Sequence, residues 1–148
     1  MTEDAMRWCV LIPCSTEETW AVPQICLAEI LTLQTDAEQP PEEVEWRGRQ
    51  VPVLDMGSED GSSWQGSRRG AGLVAIFLGL EGEGCEYWGV AVRGEGLSVE
   101  KVSTDDVLDA PEEVRSHATA AFRLHGALYQ VPDLDALQKN ISLSRQMA

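Results

Sequence analysis

The stretch Trp46-Arg47-Gly48-Arg49-Gln50-Val51-Pro52-Val53-Leu54-Asp55 decides how the chain is read. From Val51 its side chains alternate: Val51, Val53 and Asp55 share one face of a strand, with Pro52 and Leu54 on the other. Proline has no N–H to give a ladder, so Pro52 implies an edge strand or a bulge. Ahead of the strand, Gly48 suits a turn and Trp46 can pack on the end of a small barrel. Arg47 and Arg49 flank that glycine, where the backbone is accessible, and an aromatic beside an exposed arginine is a combination that anchors protein interfaces.

Upstream, Thr35 to Glu45 is polar, holds Pro40-Pro41 and carries Asp36, Glu38, Glu42, Glu43 and Glu45. It reads as a loop, too short to separate independent domains. Downstream, Met56 to Gly72 is a second loop, rich in glycine and serine, with Arg68-Arg69 near its end. Leu73 to Leu80 follows as the most apolar run, and Glu86 to Val92 is its expected antiparallel partner across the turn Glu81-Gly82-Glu83-Gly84.

Toward the amino end, Trp8 to Ile12 stops at Pro13 and Thr19 to Val22 stops at Pro23, a hairpin turning at Glu17-Glu18. Ile25 to Leu33 fits part of a helix, although Ile30 to Thr35 fits a strand equally well. Toward the carboxyl end, Leu97 to Val102 is another strand. Asp109-Ala110-Pro111-Glu112-Glu113 has the form of a short helix start capped by Asp109, or of a loop with one turn. Ala120 to Leu124 and Ala127 to Val131 form a hairpin at Gly126, and Asp133 caps a closing helix, Leu134 to Ile141. Eight or nine short strands, one or two short helices and glycine-rich turns predict a mainly β fold, a small barrel or a pair of them.

At 148 residues the chain is long enough for one domain with a substantial core. Eleven Lys and Arg against 25 Asp and Glu give a formal net charge of −14. So acidic a chain repels phosphate backbones and anionic lipid, which argues against nucleic-acid or membrane-surface binding. No apolar run approaches the roughly 20 residues of a membrane span. The start, MTEDAMRW, has acids where a secretion signal would be basic, so a cytoplasmic protein is expected.

Catalytic signatures are weak. Cys9, Cys14, Cys26 and Cys85 form no C-x-x-C pair and read as reduced thiols, three of them small core residues. His117 and His125 adjoin no nucleophile elbow and read as surface or strand-end residues. Gly66-Ser67-Arg68-Arg69-Gly70-Ala71-Gly72 precedes a strand and lacks the lysine of a phosphate loop. Glu42-Glu43-x-Glu45 lacks calcium-loop spacing. No catalytic residue, metal or cofactor is expected; a small β-barrel enzyme remains the alternative of another class.

Taken in order, the segments resemble the CheW-like domain, the adaptor of bacterial chemosensory arrays. Leu11-Ile12 to Trp20-Ala21-Val22-Pro23 is similar to that family's opening strand, turn and Y-A-l-P segment, and Leu27-Ala28-Glu29-Ile30 to V-x-E-V/I. Trp46 to Asp55 resembles N-x-R-G-x-x-x-P-V-x-D-L, Tyr87-Trp88-Gly89-Val90-Ala91-Val92 resembles G-l-x-V-D, and Leu128 to Leu137 resembles the closing l-l-D-l-d-x-L. The chain departs from the pattern at Glu45-Trp46, in place of the asparagine before Arg-Gly, and at Arg93, in place of an aspartate. A tryptophan before Arg-Gly-x-x-V-P is similar to the divergent coupling proteins of type IV pilus systems, the ChpC and PilI type.

The resemblance implies two five-stranded, SH3-like β-barrels sharing a core, with short helices, in a single domain over residues 1–148. It implies no catalysis. It implies binding to a methyl-accepting chemotaxis receptor and a CheA-type histidine kinase, with Leu27, Glu29, Ile30, Trp46, Arg47 and Gly48 as partner-binding residues. A degenerate CheW-like module serving another signalling assembly is the alternative within the same class.

Overall fold

A computed structural model of the chain describes residues 6–15, 18–57, 64–65, 70–79, 87–93 and 97–147. The expected turns at Glu17 and at Glu81 to Gly84, the Gly66 to Arg69 part of the second loop and Cys85 lie outside those residues. The strands are β1 (Met6–Pro13), β2 (Thr19–Pro23), β3 (Leu27–Gln34), β4 (Glu43–Trp46), β5 (Arg49–Leu54) and β6 (Ala71–Leu78). They continue with β7 (Tyr87–Val92), β8 (Ser98–Ser103), β9 (Val107–Asp109), β10 (Ala118–Leu124) and β11 (Ala127–Pro132), and the helix α1 (Leu134–Met147) closes the chain.

These elements form two sheets, ordered β8-β1-β2-β11-β10-β9 and β3-β6-β7-β5-β4, each curled into a half-barrel. The mainly β, two-barrel architecture is as expected, with a sixth strand in the first sheet where Val107–Asp109 pairs with β10. The β1–β2, β6–β7 and β10–β11 hairpins are antiparallel as read from the sequence. Two parallel contacts, β11 with β2 and β5 with β7, join segments distant in the chain.

The long apolar run of β6 has a simple cause: both faces of its sheet are covered. Ala75 and Phe77 face a cluster shared by both sheets, with Val10, Ile12, Trp20 and Val22 from the first, Trp88, Val90 and Val92 from the second, and Leu137 of α1. Val74 and Ile76, on the opposite face, join Val44, Trp46, Val51, Trp64 and Ala91 inside the second half-barrel. Gly72 is required by that interior, because a Cβ there would lie 2.4 Å from the Trp64 ring.

Three local expectations are corrected and one ambiguity is resolved. Glu43 to Trp46 is strand rather than loop, and it pairs Glu43 with Pro52 and Trp46 with Arg49. Pro52 therefore stands on an interior strand. The Val53 N–H donates to Glu42 O at 2.8 Å, so the Pro52 nitrogen points the other way, toward β7, where pairing begins only at Val53. The ambiguous 25–33 segment resolves into a single 3-10 turn, Gln24–Cys26, followed by β3. Asp109 caps nothing: it ends β9, and Pro111–Glu113 is one 3-10 turn with Ala110 at its N-cap and no side-chain cap. At α1 the expected cap is present, with the Ala136 N–H donating to Asp133 Oδ1 at 3.1 Å.

Candidate partner-binding site

Between β4 and β5 the chain turns on two residues, Arg47 (φ 51°) and Gly48 (φ 77°). Two consecutive positive φ values make the turn that matches the twist of a hairpin. A Cβ on Gly48 would meet nothing within 4 Å, so glycine is placed there for its backbone angle and not for space. The turn leaves the Arg47 side chain 69% exposed. Its guanidinium lies 4.6 Å from the centre of the Trp46 ring, and that of Arg49 lies 5.4 Å from the Tyr87 ring. The two rings meet edge to face at 4.8 Å.

A β-bulge between Leu27 and Glu29 sets the other half of the site. It breaks the two-residue alternation, so Leu27 and Ile30 both pack against the cluster shared by the two sheets, while Ala28 packs inside the second half-barrel. Glu29 reaches the hairpin: Arg47 Nη2 donates to Glu29 Oε1 at 3.2 Å. Because β3 and β4 are the two edges of their sheet, this contact spans the seam where the curled sheet comes back on itself. An exposed pair of this kind contributes under about 1 kcal/mol.

The six residues named from the sequence thus divide. Glu29, Trp46, Arg47 and Gly48 gather at the seam, and Leu27 and Ile30 lie half-buried between the sheets. Trp46 is only 5% exposed, which accounts for it structurally, but its indole N–H is buried without an acceptor. Such an orphaned donor costs about 1–3 kcal/mol.

Two polar clusters were not read from the sequence. Arg93, treated there only as a departure from a pattern, is fully buried. It donates from Nε to Asp55 Oδ1 at 3.0 Å, from Nη2 to Asp55 Oδ2 at 2.8 Å and to Gln39 Oε1 at 3.2 Å. Its backbone N–H donates to Pro13 O at 2.7 Å, which ties the end of β7 to the end of β1 and so one sheet to the other. Its position after the buried Val90-Ala91-Val92, against a carboxylate ending β5, was the available signal. Glu18, also buried, accepts from Trp20 Nε1 at 2.6 Å, contacts His117 Nε2 and lies 3.5 Å from Arg115 Nε. His117 is therefore a half-buried partner of a carboxylate and not a surface residue, whereas His125 sits exposed in the β10–β11 turn at φ 50°.

Cys14 is a core thiol. Its Sγ–H contacts Ile12 O at 3.4 Å, and burial, reinforced by the charge of Glu18, pushes its pKa well above the usual thiol range. Among the described residues, Cys14 and Cys26 are free thiols, no group of three His, Cys, Asp or Glu can hold a metal ion, and no helix is long and apolar enough to cross a membrane.

No protein-family model matches the chain, and no curated protein does. A solved structure does: the scaffolding protein TtCheW from Thermoanaerobacter tengcongensis is similar to it with a TM-score of 0.59 and 15% sequence identity, over 90% of each chain. The fold is CheW-like, two SH3-like half-barrels around a shared cluster.

Proposed function

We propose that the chain is a non-catalytic adaptor of a bacterial chemosensory array, working in the cytoplasm as a single domain. It couples a methyl-accepting receptor to a CheA-type histidine kinase through protein–protein contacts, and its tryptophan before Arg-Gly supports an array that controls type IV pili. The observation that carries this reading is a fold shared with a scaffolding protein over nine-tenths of both chains. The site is consistent with it: a rigid β scaffold presents Arg47 beside Gly48 at the seam, with Leu27 and Ile30 on the other face of β3. A receptor segment can dock at the exposed Arg47, which exchanges Glu29 for an acceptor on the partner, and reach the exposed parts of the half-buried Leu27 and Ile30 only at the edge of β3.

The test is affinity capture from the native cell with the full chain as bait, followed by reconstitution of the captured proteins. A receptor and a histidine kinase recovered together, and lost together with Arg47→Ala, support the reading. Recovery of neither overturns it.

A further inference from the structure

We propose that the edge of β8 is a docking strand for an extended segment of another protein, one that carries an acidic residue followed by a basic one between two apolar residues. Among the described residues β8 pairs with β1 alone and stands at one end of its sheet, with β9 at the other. β9 is only three residues long and lies next to Pro111, which protects that edge. β8 has six residues with no proline, glycine or register shift against β1, and Ser98 to Lys101 are exposed. Every second residue of β8 turns its N–H and C=O away from β1, where another strand can bond to them. This surface belongs to the other sheet from the Arg47 seam and stands whether or not the chain is an adaptor.

Trp8 pairs with Lys101 and Val10 with Val99, so Trp8, Val99 and Lys101 share one face, with Glu100 and Val102 on the other. Trp8 is 53% and Val99 44% exposed, and Lys101 Nζ lies 6.0 Å from the Trp8 ring. An incoming antiparallel strand meets, in its own direction, Val102, Lys101, Glu100 and Val99. Apolar, acidic, basic and apolar residues complement them in that order.

A second copy of this chain does not fit, although β8 itself reads Val99-Glu100-Lys101-Val102. Opposite residues of an antiparallel ladder either both point across the gap or both point back. Two folded copies turn the same residues outward, so Glu100 can never lie opposite the Lys101 of a copy. The two registers that keep most of the strand paired set Glu100 against Glu100 or Lys101 against Lys101. Either one places like charges face to face. A strand from a different protein is free of that constraint.

The experiment titrates two disulfide-closed hairpin peptides of identical composition into the 15N-labelled full-length chain. Their outer strands read Val-Glu-Lys-Val and Val-Lys-Glu-Val, and closure lowers the cost of ordering them. The first is expected to slow amide exchange along β8 and to bind roughly fivefold or more tighter than the second. Glu100→Lys combined with Lys101→Glu, at two exposed positions, is expected to reverse that preference. Binding of neither peptide, equal binding of both, protection confined to residues outside β8, or an unreversed preference overturns the proposal. If the double variant does not fold, the two peptides on the parent chain decide alone. Sedimentation equilibrium of the chain by itself covers the remaining occupant: a dimer whose β8 amides are protected overturns the exclusion of a second copy, and free exchange along β8 supports it.

Discussion

Two arginines separate a fold role from a surface role, and the same substitution applied to each tests the distinction. Arg93 is 1% exposed and grips Asp55, itself 18% exposed, through two bonds of 2.8 and 3.0 Å. Arg93→Ala strands that carboxylate, removes the bond to the exposed Gln39 and empties the space above Gly57, where a Cβ would lie 2.4 Å from Arg93 Cδ. Breaking one partner of a buried ion pair costs about 3–5 kcal/mol. At roughly 2–4 °C per kcal/mol for a chain of this size, the melting temperature should fall by about 6–20 °C. Arg47→Ala removes an equal number of atoms and one 3.2 Å ion pair from the surface, and alanine keeps a Cβ at the same positive φ, so backbone strain is unchanged. Its cost should stay under about 1 kcal/mol.

Differential scanning calorimetry on the two variants, with urea unfolding as a check, reads the contrast directly. A control replaces both buried partners: Arg93→Met with Asp55→Leu should recover most of the loss, because no charge is then left alone. If Arg93→Ala melts within 3 °C or so of Arg47→Ala, the buried Arg93–Asp55 pair is not what holds the ends of β5 and β7 together, and the reasoning fails.

Three further outcomes are expected. Because one cluster takes side chains from both sheets, the half-barrels should unfold together, with tryptophan fluorescence and far-ultraviolet circular dichroism giving coincident urea transitions; two separated midpoints would contradict this. Gly72→Ala should cost about 1–3 kcal/mol by overpacking against Trp64, read as a lower urea midpoint with an unchanged slope. The Cys14 thiol has a raised pKa in the fold, so its contribution is fully present below the unfolded value near 9.0 and is lost as pH rises from there toward the folded value. Stability should therefore drop above about pH 9 by up to about 1.4 kcal/mol per unit from this group, and Cys14→Val should flatten that slope.

Where the sequence was legible, a local rule matched the tertiary environment. Prolines ended β1 and β2, the Asp133 cap started α1, and Gly126 turned the last hairpin, because each acts through its own backbone. Strand β4 was missed since three of its four residues read as the tail of an acidic loop, and only pairing with β5 makes Glu43 and Glu45 outward-facing strand residues. The site was legible as residue types but not as contacts. Glu29 and Arg47 stand 18 residues apart, and their bond depends on a bulge and on sheet closure, neither of which leaves a periodic signal. Arg93 looked like a loss when judged against a pattern. Its meaning depends on Asp55, 38 residues away, and on the burial of the strand end that carries it.

The division of labour between these residues separates what closes the second half-barrel from what lies on its surface at the seam. Closure of the second half-barrel does not depend on Glu29–Arg47, since an exposed pair contributes too little. Trp46, Val44, Val51 and Trp64 fill the interior and hold β4 near β3 from within. Edge strands normally threaten to pair with another chain, and here both edges carry charged side chains, Glu29 on β3 and Glu43 and Glu45 on β4. The Glu29–Arg47 pair can therefore be lost while the core stays packed. An interior ion pair such as Arg93–Asp55 could not be lost in that way, because breaking it leaves a buried charge with no water to replace the lost bonds.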